Sequence, residues 1–162
     1  MNMEFLDAVD ENDNAIGKFS KDEIYSKKLR HRIVHVHIFN DKGEMALQLR
    51  AKGLKFCPEH WCTSVGGHVQ SGESYEEAAL REYKEELGAK SNIEFFSKDL
   101  YSANGLEKFV VAFKAKASGN FKIESRAIQK VEFFSIEQIK NMIVQGEKFH
   151  PELLFLLKKY FL

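Results

Sequence analysis

The chain alternates short β-rich runs with amphipathic stretches. Arg32 to Asn40 is dense in β-branched and aromatic residues and reads as a strand. Asp41-Lys42-Gly43 supplies turn chemistry, and Glu44 to Arg50 reads as the returning arm of a hairpin. Trp61 to Val65, Lys108 to Ala117 and Val131 to Phe134 read as further strands. Asp10 to Asn14 is a turn cluster between two short extended pieces. Helix starts are marked by caps. Ser20 with Glu23, Ser74 with Glu77 and Ser135 with Gln138 have capping-box spacing, in which hydroxyl and carboxyl or amide satisfy each other's free backbone N–H. They predict helices over residues 21–29, over Tyr75 to Leu87, and from Ser135 to near Gly146. Gly88 stands where a left-handed residue ends the second. His150-Pro151 opens a last helix with Leu153, Leu154, Leu157 and Phe161 on one side. Strands and helices interleave, yet the hairpins require antiparallel pairs. The expected class is α+β, a mixed sheet sandwiched between helices, in a single domain over residues 1–162.

Composition narrows the function. The 162 residues, 44% hydrophobic, are enough for one packed core and argue against disorder. Lys plus Arg and Asp plus Glu both total 24, so no net charge favours a nucleic acid polymer or an acidic membrane as partner. Cys57 and Cys62 are the two cysteines, lie in no metal-binding spacing and suit a reducing cytosol. The segment from Met1 to Asp7 carries acids where a signal peptide needs a basic and then an apolar run, and no apolar run reaches about 18 residues. A cytoplasmic location is expected.

The chemistry concentrates between Gly67 and Ala89. Glu82, Glu85 and Glu86 stand at i, i+3 and i+4, on one face of the Tyr75–Leu87 helix, with Tyr75, Ala79, Tyr83 and Leu87 forming the opposing apolar stripe. Like charges so close repel unless cations lie between them. Carboxylate oxygens are hard ligands suited to magnesium. The bland alternative is a solvated acidic face balanced by Arg81 and Lys84. The wider spacing decides against it: Gly67, then Glu73, then Arg81-Glu82, Glu85-Glu86, Leu87 and Gly88, in a loop–helix context. This pattern resembles the signature box of Nudix hydrolases. Weaker matches around Val9 to Asn14, Arg30-His31-Arg32, Gln48-Leu49-Arg50, Pro58 and Trp61 resemble the branch that includes isopentenyl diphosphate isomerases and hydrolases similar to them.

The resemblance implies a Nudix fold and a magnesium-dependent hydrolase, with manganese as a substitute, cleaving a small-molecule diphosphate such as a nucleoside diphosphate linked to X. Glu82, Glu85 and Glu86 would hold the metal and carry catalysis, with the Gly66 carbonyl as a further ligand. Gly67, Glu73, Arg81 and Gly88 would shape the box, and Arg50 and Lys55 would hold the diphosphate. A homodimer is left open. Many family members carry a late glutamate upstream of an aromatic; here Ser125 to Gln129 precede Phe133, and Glu124 is the nearby acid, so the general base is unassigned. Two other readings remain. One is a domain that binds a diphosphate without cleaving it. The other is the isomerase itself, whose catalytic cysteine falls at the position of Gly66. His31, His35 and His37 share strand parity and read as polar residues on a half-exposed strand. His31 and His68 match metal-ligand histidines of the isomerases, so whether they hold a metal stays open.

Overall fold

The computed structural model describes residues 3–162. Met1 and Asn2, at the head of the segment read as unlike a signal peptide, lie outside the described residues. In chain order the elements are β1 (Phe5–Val9), β2 (Ala15–Ser20), α1 (Lys21–Ser26), β3 (His31–Phe39), β4 (Met45–Arg50), β5 (Trp61–Thr63), β6 (Val65–His68), α2 (Tyr75–Leu87), β7 (Ile93–Ala103), β8 (Leu106–Lys116), β9 (Ile128–Phe134), α3 (Ile136–Val144) and α4 (Pro151–Tyr160). β1 and β2 form an antiparallel hairpin. The other strands build a mixed sheet in the order β5-β4-β3-β8-β7, with β6 added to β3 and β9 to β4. β3 and β8 are parallel; the remaining pairs are antiparallel.

The sheet is covered on both faces. Val34, Val36 and Ile38 of β3 point to one side, where Ala78, Ala79, Tyr83 and Leu87 of α2 close a core. The alternate residues point to the other side: Ile33 meets Leu156, and Met45, Leu47 and Trp61 meet Ile139, Leu153 and Leu157. The period-2 strand pattern meets the 3.6-residue helix pattern on each face, which is the α+β sandwich expected.

Local signals explain the helix starts. Ser20, Ser74 and Ser135 each accept a hydrogen bond from the backbone N–H three residues on, and each capping box is complete. Such a cap contributes about 1 kcal/mol. Gly88 ends α2 at φ 63, the left-handed turn that a side chain would strain.

Four expectations need correction. α1 stops at Ser26, because Lys28 turns left-handed at φ 53 and Leu29 packs beneath the hairpin. The hairpin of β3 and β4 is paired only at its tip, Phe39 with Met45. Its arms then part and Ser64 enters the wedge, accepting from the Ile38 N–H and donating to the Ala46 carbonyl. That insertion divides the run read as one strand at Trp61–Val65 into β5 and β6. Finally, β7 was not anticipated. Its eleven residues mix exposed and covered positions along a sheet edge, with a register shift near Phe95, so no clean alternation marks it.

Candidate active site

Three pieces meet at the start and inner face of α2. The first is the loop from Gly67 to Ser74. Arg81 organises it, donating through Nε and Nη2 to the Glu73 carboxylate at 2.7 and 2.9 Å and through Nη2 to the His68 carbonyl at 3.0 Å. This bidentate clamp, chiefly the Glu73 hydrogen bonds, keeps the guanidinium charged and ties the loop to the helix. The second is α2 itself. Arg81 Nη1 also donates to Glu82 at 2.9 Å and Glu85 at 3.2 Å. The third is the end of β6, where Gly67 lies against Glu82 so closely that a methyl group there would overlap the carboxyl. Glycine is required for that approach.

The three carboxylates are not equivalent. Glu82 and Glu86 meet each other, whereas Glu85 is exposed and turned to Arg81. Glu86 accepts from Gln48 Nε2 at 2.7 Å and lies 3.5 Å from the Gly66 N–H. Burial, and then the hydrogen bond and charge of Glu82, push the Glu86 carboxyl well above the usual carboxylate range; burial also raises Glu82. Two half-buried acids thus contend for one proton, an arrangement short of positive charge. All the donors are hard oxygens. Chemically the residues fit a divalent cation, with Glu82 and Glu86 in place and Glu85 able to swing from Arg81.

Other anticipated residues fall as follows. Arg50 is on β4, on the same side as Gln48, but its Nε and Nη2 donate to the carbonyls of Phe56 and Cys57. Lys55 is exposed on the loop that Arg50 fastens. Glu124 lies where the chain crosses the C-terminus of α2: its N–H donates to the Glu86 carbonyl, while its own carboxylate accepts from the Arg126 N–H. Gln48, which the sequence places only within a weak family match, contacts Glu86. A buried glutamine amid Met45, Ala46 and Leu47 was the available signal.

The histidines correct the sequence reading. His31, His35 and His37 do face one side, but all three are buried rather than half-exposed, His31 beside Tyr25 of α1 and His68, His35 beside Glu152 of α4 and His37 beside Phe161. His35 meets Thr63 Oγ1 at 2.6 Å and Glu152 at 3.2 Å, and Lys108 meets the same carboxylate at 2.8 Å. Against the cost of burial, His35 and the Lys108 charge hold Glu152 well below the usual range. His31 and His68 stack at 5.7 Å, with His68 Nε2 bonded to the Tyr25 hydroxyl at 2.6 Å. Burial pushes them down to about 4 and about 3. Among the described residues, no three His, Cys, Asp or Glu side chains converge as a ready metal cluster, and Lys108 lies over Tyr25 beside this pair.

The family model for the NUDIX domain matches residues 29–157, which span the whole site. The chain belongs to the Nudix family. An uncharacterized Nudix hydrolase of Streptomyces coelicolor is 42% identical over 100 residues, covering 60% of this chain and 55% of that protein. An isopentenyl-diphosphate Δ-isomerase of Photorhabdus laumondii is 36% identical over 100 residues, covering 62% and 56%. The chain thus spans about half the length of these curated relatives. A crystal structure from Deinococcus radiodurans, 26% identical, superposes with a TM-score of 0.85 over 98% of this chain and 100% of that one. Gly67 to Gly88, running from the end of β6 through α2, lies within the matched residues. No helix among the described residues is long and apolar enough to cross a membrane.

Proposed function

We propose that this Nudix protein is a magnesium-dependent hydrolase that cleaves the diphosphate linkage of a nucleoside diphosphate linked to X. The observation that carries the reading is the Glu82–Glu86 pair, two like-charged groups pressed together at the mouth of the box with Glu85 alongside. Glu82, Glu85 and Glu86 would hold the cation, with the Gly66 carbonyl as a further ligand. When bound, such a cation acidifies water and offsets charge on the leaving phosphate. The chain's own groups do the remaining work. Arg81 fixes the loop so that Gly67 lets Glu82 reach inward. Gln48 orients the Glu86 carboxyl by donating to its Oε1. Arg50, released from the carbonyls of Phe56 and Cys57, and Lys55 would meet the diphosphate from the other side, as a planar fork and a point charge.

A second reading, binding without cleavage, draws on Glu124, whose carboxylate is turned away to the Arg126 N–H. The isomerase reading is weaker. The position of its cysteine is Gly66, and burial pushes the Cys62 thiol up to about 12, so it stays protonated and unreactive. The deciding experiment is release of cleavage products, resolved by chromatography, when the purified protein is given nucleoside diphosphates, nucleotide sugars and dinucleoside polyphosphates with magnesium. Release that disappears in excess chelator is expected. Tight binding with no release would favour the binding domain, and full turnover in chelator would end the metal assignment.

A further inference from the structure

The β1–β2 hairpin is attached to the box. Its inward face packs Leu6, Ala8 and Phe19 on Ile24 and Leu29. Its outward face carries Phe5, Asp7 and Lys18, since Asp7 pairs across the ladder with Lys18. Asp7 accepts from the Ser71 hydroxyl at 2.6 Å and from the Gly72 N–H at 3.3 Å. The Ser71 N–H donates to the Phe5 carbonyl at 2.8 Å, and Leu6 bridges to Gln70. The box loop thereby continues the hairpin as a third, short strand. This leaves a cleft of about 470 Å³ with two unlike walls. One side carries Arg81, Glu82 and Glu85; the hairpin side carries Phe5 and Lys18 together with Met3 and Glu4.

The second wall is only lightly packed. Phe5 is 40% exposed, a large ring left to solvent on a strand whose other face is packed. The Lys18 ammonium rests 5.1 Å from the centre of that ring, and among the described residues it has no carboxylate within ion-pair distance. A cation–π pair, exposed to solvent and without a carboxylate partner, therefore lines the same cleft as Glu82 and Glu85, in a space of small-molecule size.

We infer that Phe5 and Lys18 form a subsite for the nucleoside diphosphate half of the substrate, the base stacking on Phe5 and a phosphate oxygen meeting Lys18. This rests on the hydrolase reading above and adds to it which part of the substrate is recognised and by which element. A flat apolar ring accepts any base by stacking, so selectivity would favour nucleoside over aliphatic diphosphates without strong choice among bases. A lysine supplies a point charge without bidentate geometry, suited to a phosphate that shifts during reaction.

The test uses binding, so it does not depend on turnover. Calorimetry compares α,β-methylene-ADP with methylenediphosphonate, both resistant to cleavage at the bridging carbon, in magnesium. Phe5→Ala should weaken the nucleotide about 10-fold, consistent with the loss of one stacked base, and leave the diphosphonate unchanged. Phe5→Trp should restore nucleotide binding. Lys18→Ala should weaken both probes alike. Thermal melting confirms that each variant folds, and Phe5→Leu, apolar but not flat, should behave like Phe5→Ala if melting excludes the latter. Equal nucleotide affinity in wild type and folded Phe5 variants would overturn the subsite. So would a wild type that binds the two probes equally. A protein that binds nucleotide through Phe5 but cleaves none of the substrates would instead overturn the hydrolase reading and leave the subsite standing.

Discussion

Glu86 illustrates how a residue can be legible in type and not in state. Its spacing from Glu82 predicts proximity; the contact with Gln48, which comes from a strand 38 positions earlier, is a product of the fold. Replacing Glu86 by Gln keeps the shape and removes the charge. Turnover is expected to fall about 10²-fold or more, the range for losing one catalytic electrostatic element. Stability without metal should hold or rise, because the contest with Glu82 ends. Cleavage rates with parallel melting curves check both; a variant that unfolds yet keeps its specific activity would make the glutamate structural. Arg50 is the converse case. Its hydrogen bonds to Phe56 and Cys57 give Arg50→Ala two expected effects: a rise in KM of about 10- to 150-fold from a lost charge-assisted bond, and faster proteolysis of the 51–60 loop. Faster cleavage with an unchanged KM would reduce Arg50 to an anchor. Lys55→Ala, on an exposed side chain, should act in the same direction and more weakly.

At the scale of elements, the sequence is most readable where structure is local. Ser74, Glu77 and Gly88 delimit α2 because caps act within four residues. The splitting of β5 from β6 is not readable, since it depends on Ser64 finding Ile38 and Ala46 across the sheet. The buried histidine side of β3 is hidden for a related reason: period-2 spacing gives parity, while only tertiary packing reveals that α4 covers that parity too. The junction of β6 and α2 yields a prediction of its own. In Gly67→Ala the new methyl group meets the end of a flexible Glu82 side chain, which can move aside. Melting temperature should change little, whereas magnesium affinity and turnover should fall by roughly two orders of magnitude as Glu82 leaves its place. Calorimetric magnesium titration of the variant is the check, and wild-type affinity would show that Glu82 is not a ligand.

Across the whole molecule, buried titratable groups pull stability in opposite directions with pH. Burial pushes His31 and His150 down to about 4, and His37 and His68 down to about 3. An unfolded histidine binds its proton near pH 6.5. Below that value the unfolded chain holds more protons than the native one, so stability present above about pH 6.5 is lost as pH falls. Glu82 and Glu86 have raised native values, so their stabilisation is present below the ordinary 4.5 and is lost as pH rises through those values. Melting temperature of chelated protein should therefore peak at mildly acidic pH, and magnesium should raise the neutral side most. Curves across pH 4–8 that are monotonic and identical with and without magnesium would defeat this. His37, whose two ring nitrogens have no hydrogen-bond partner among the described residues, adds a sharper case: His37→Leu should gain about 1–3 kcal/mol at neutral pH and flatten the acid limb. The parallel ladder of β3 and β8 carries one more consequence, in time rather than in energy. Each of its pairs, from His31↔Lys108 to Phe39↔Lys116, joins residues 77 positions apart. A loop of that length must close before the central strands can pair, which slows folding. During synthesis the acidic helix emerges well ahead of β8. The nascent chain thus presents a bare, apolar β3 edge for the interval in which some thirty residues are still to be made, and that interval is when it is most exposed to aggregation and to chaperones.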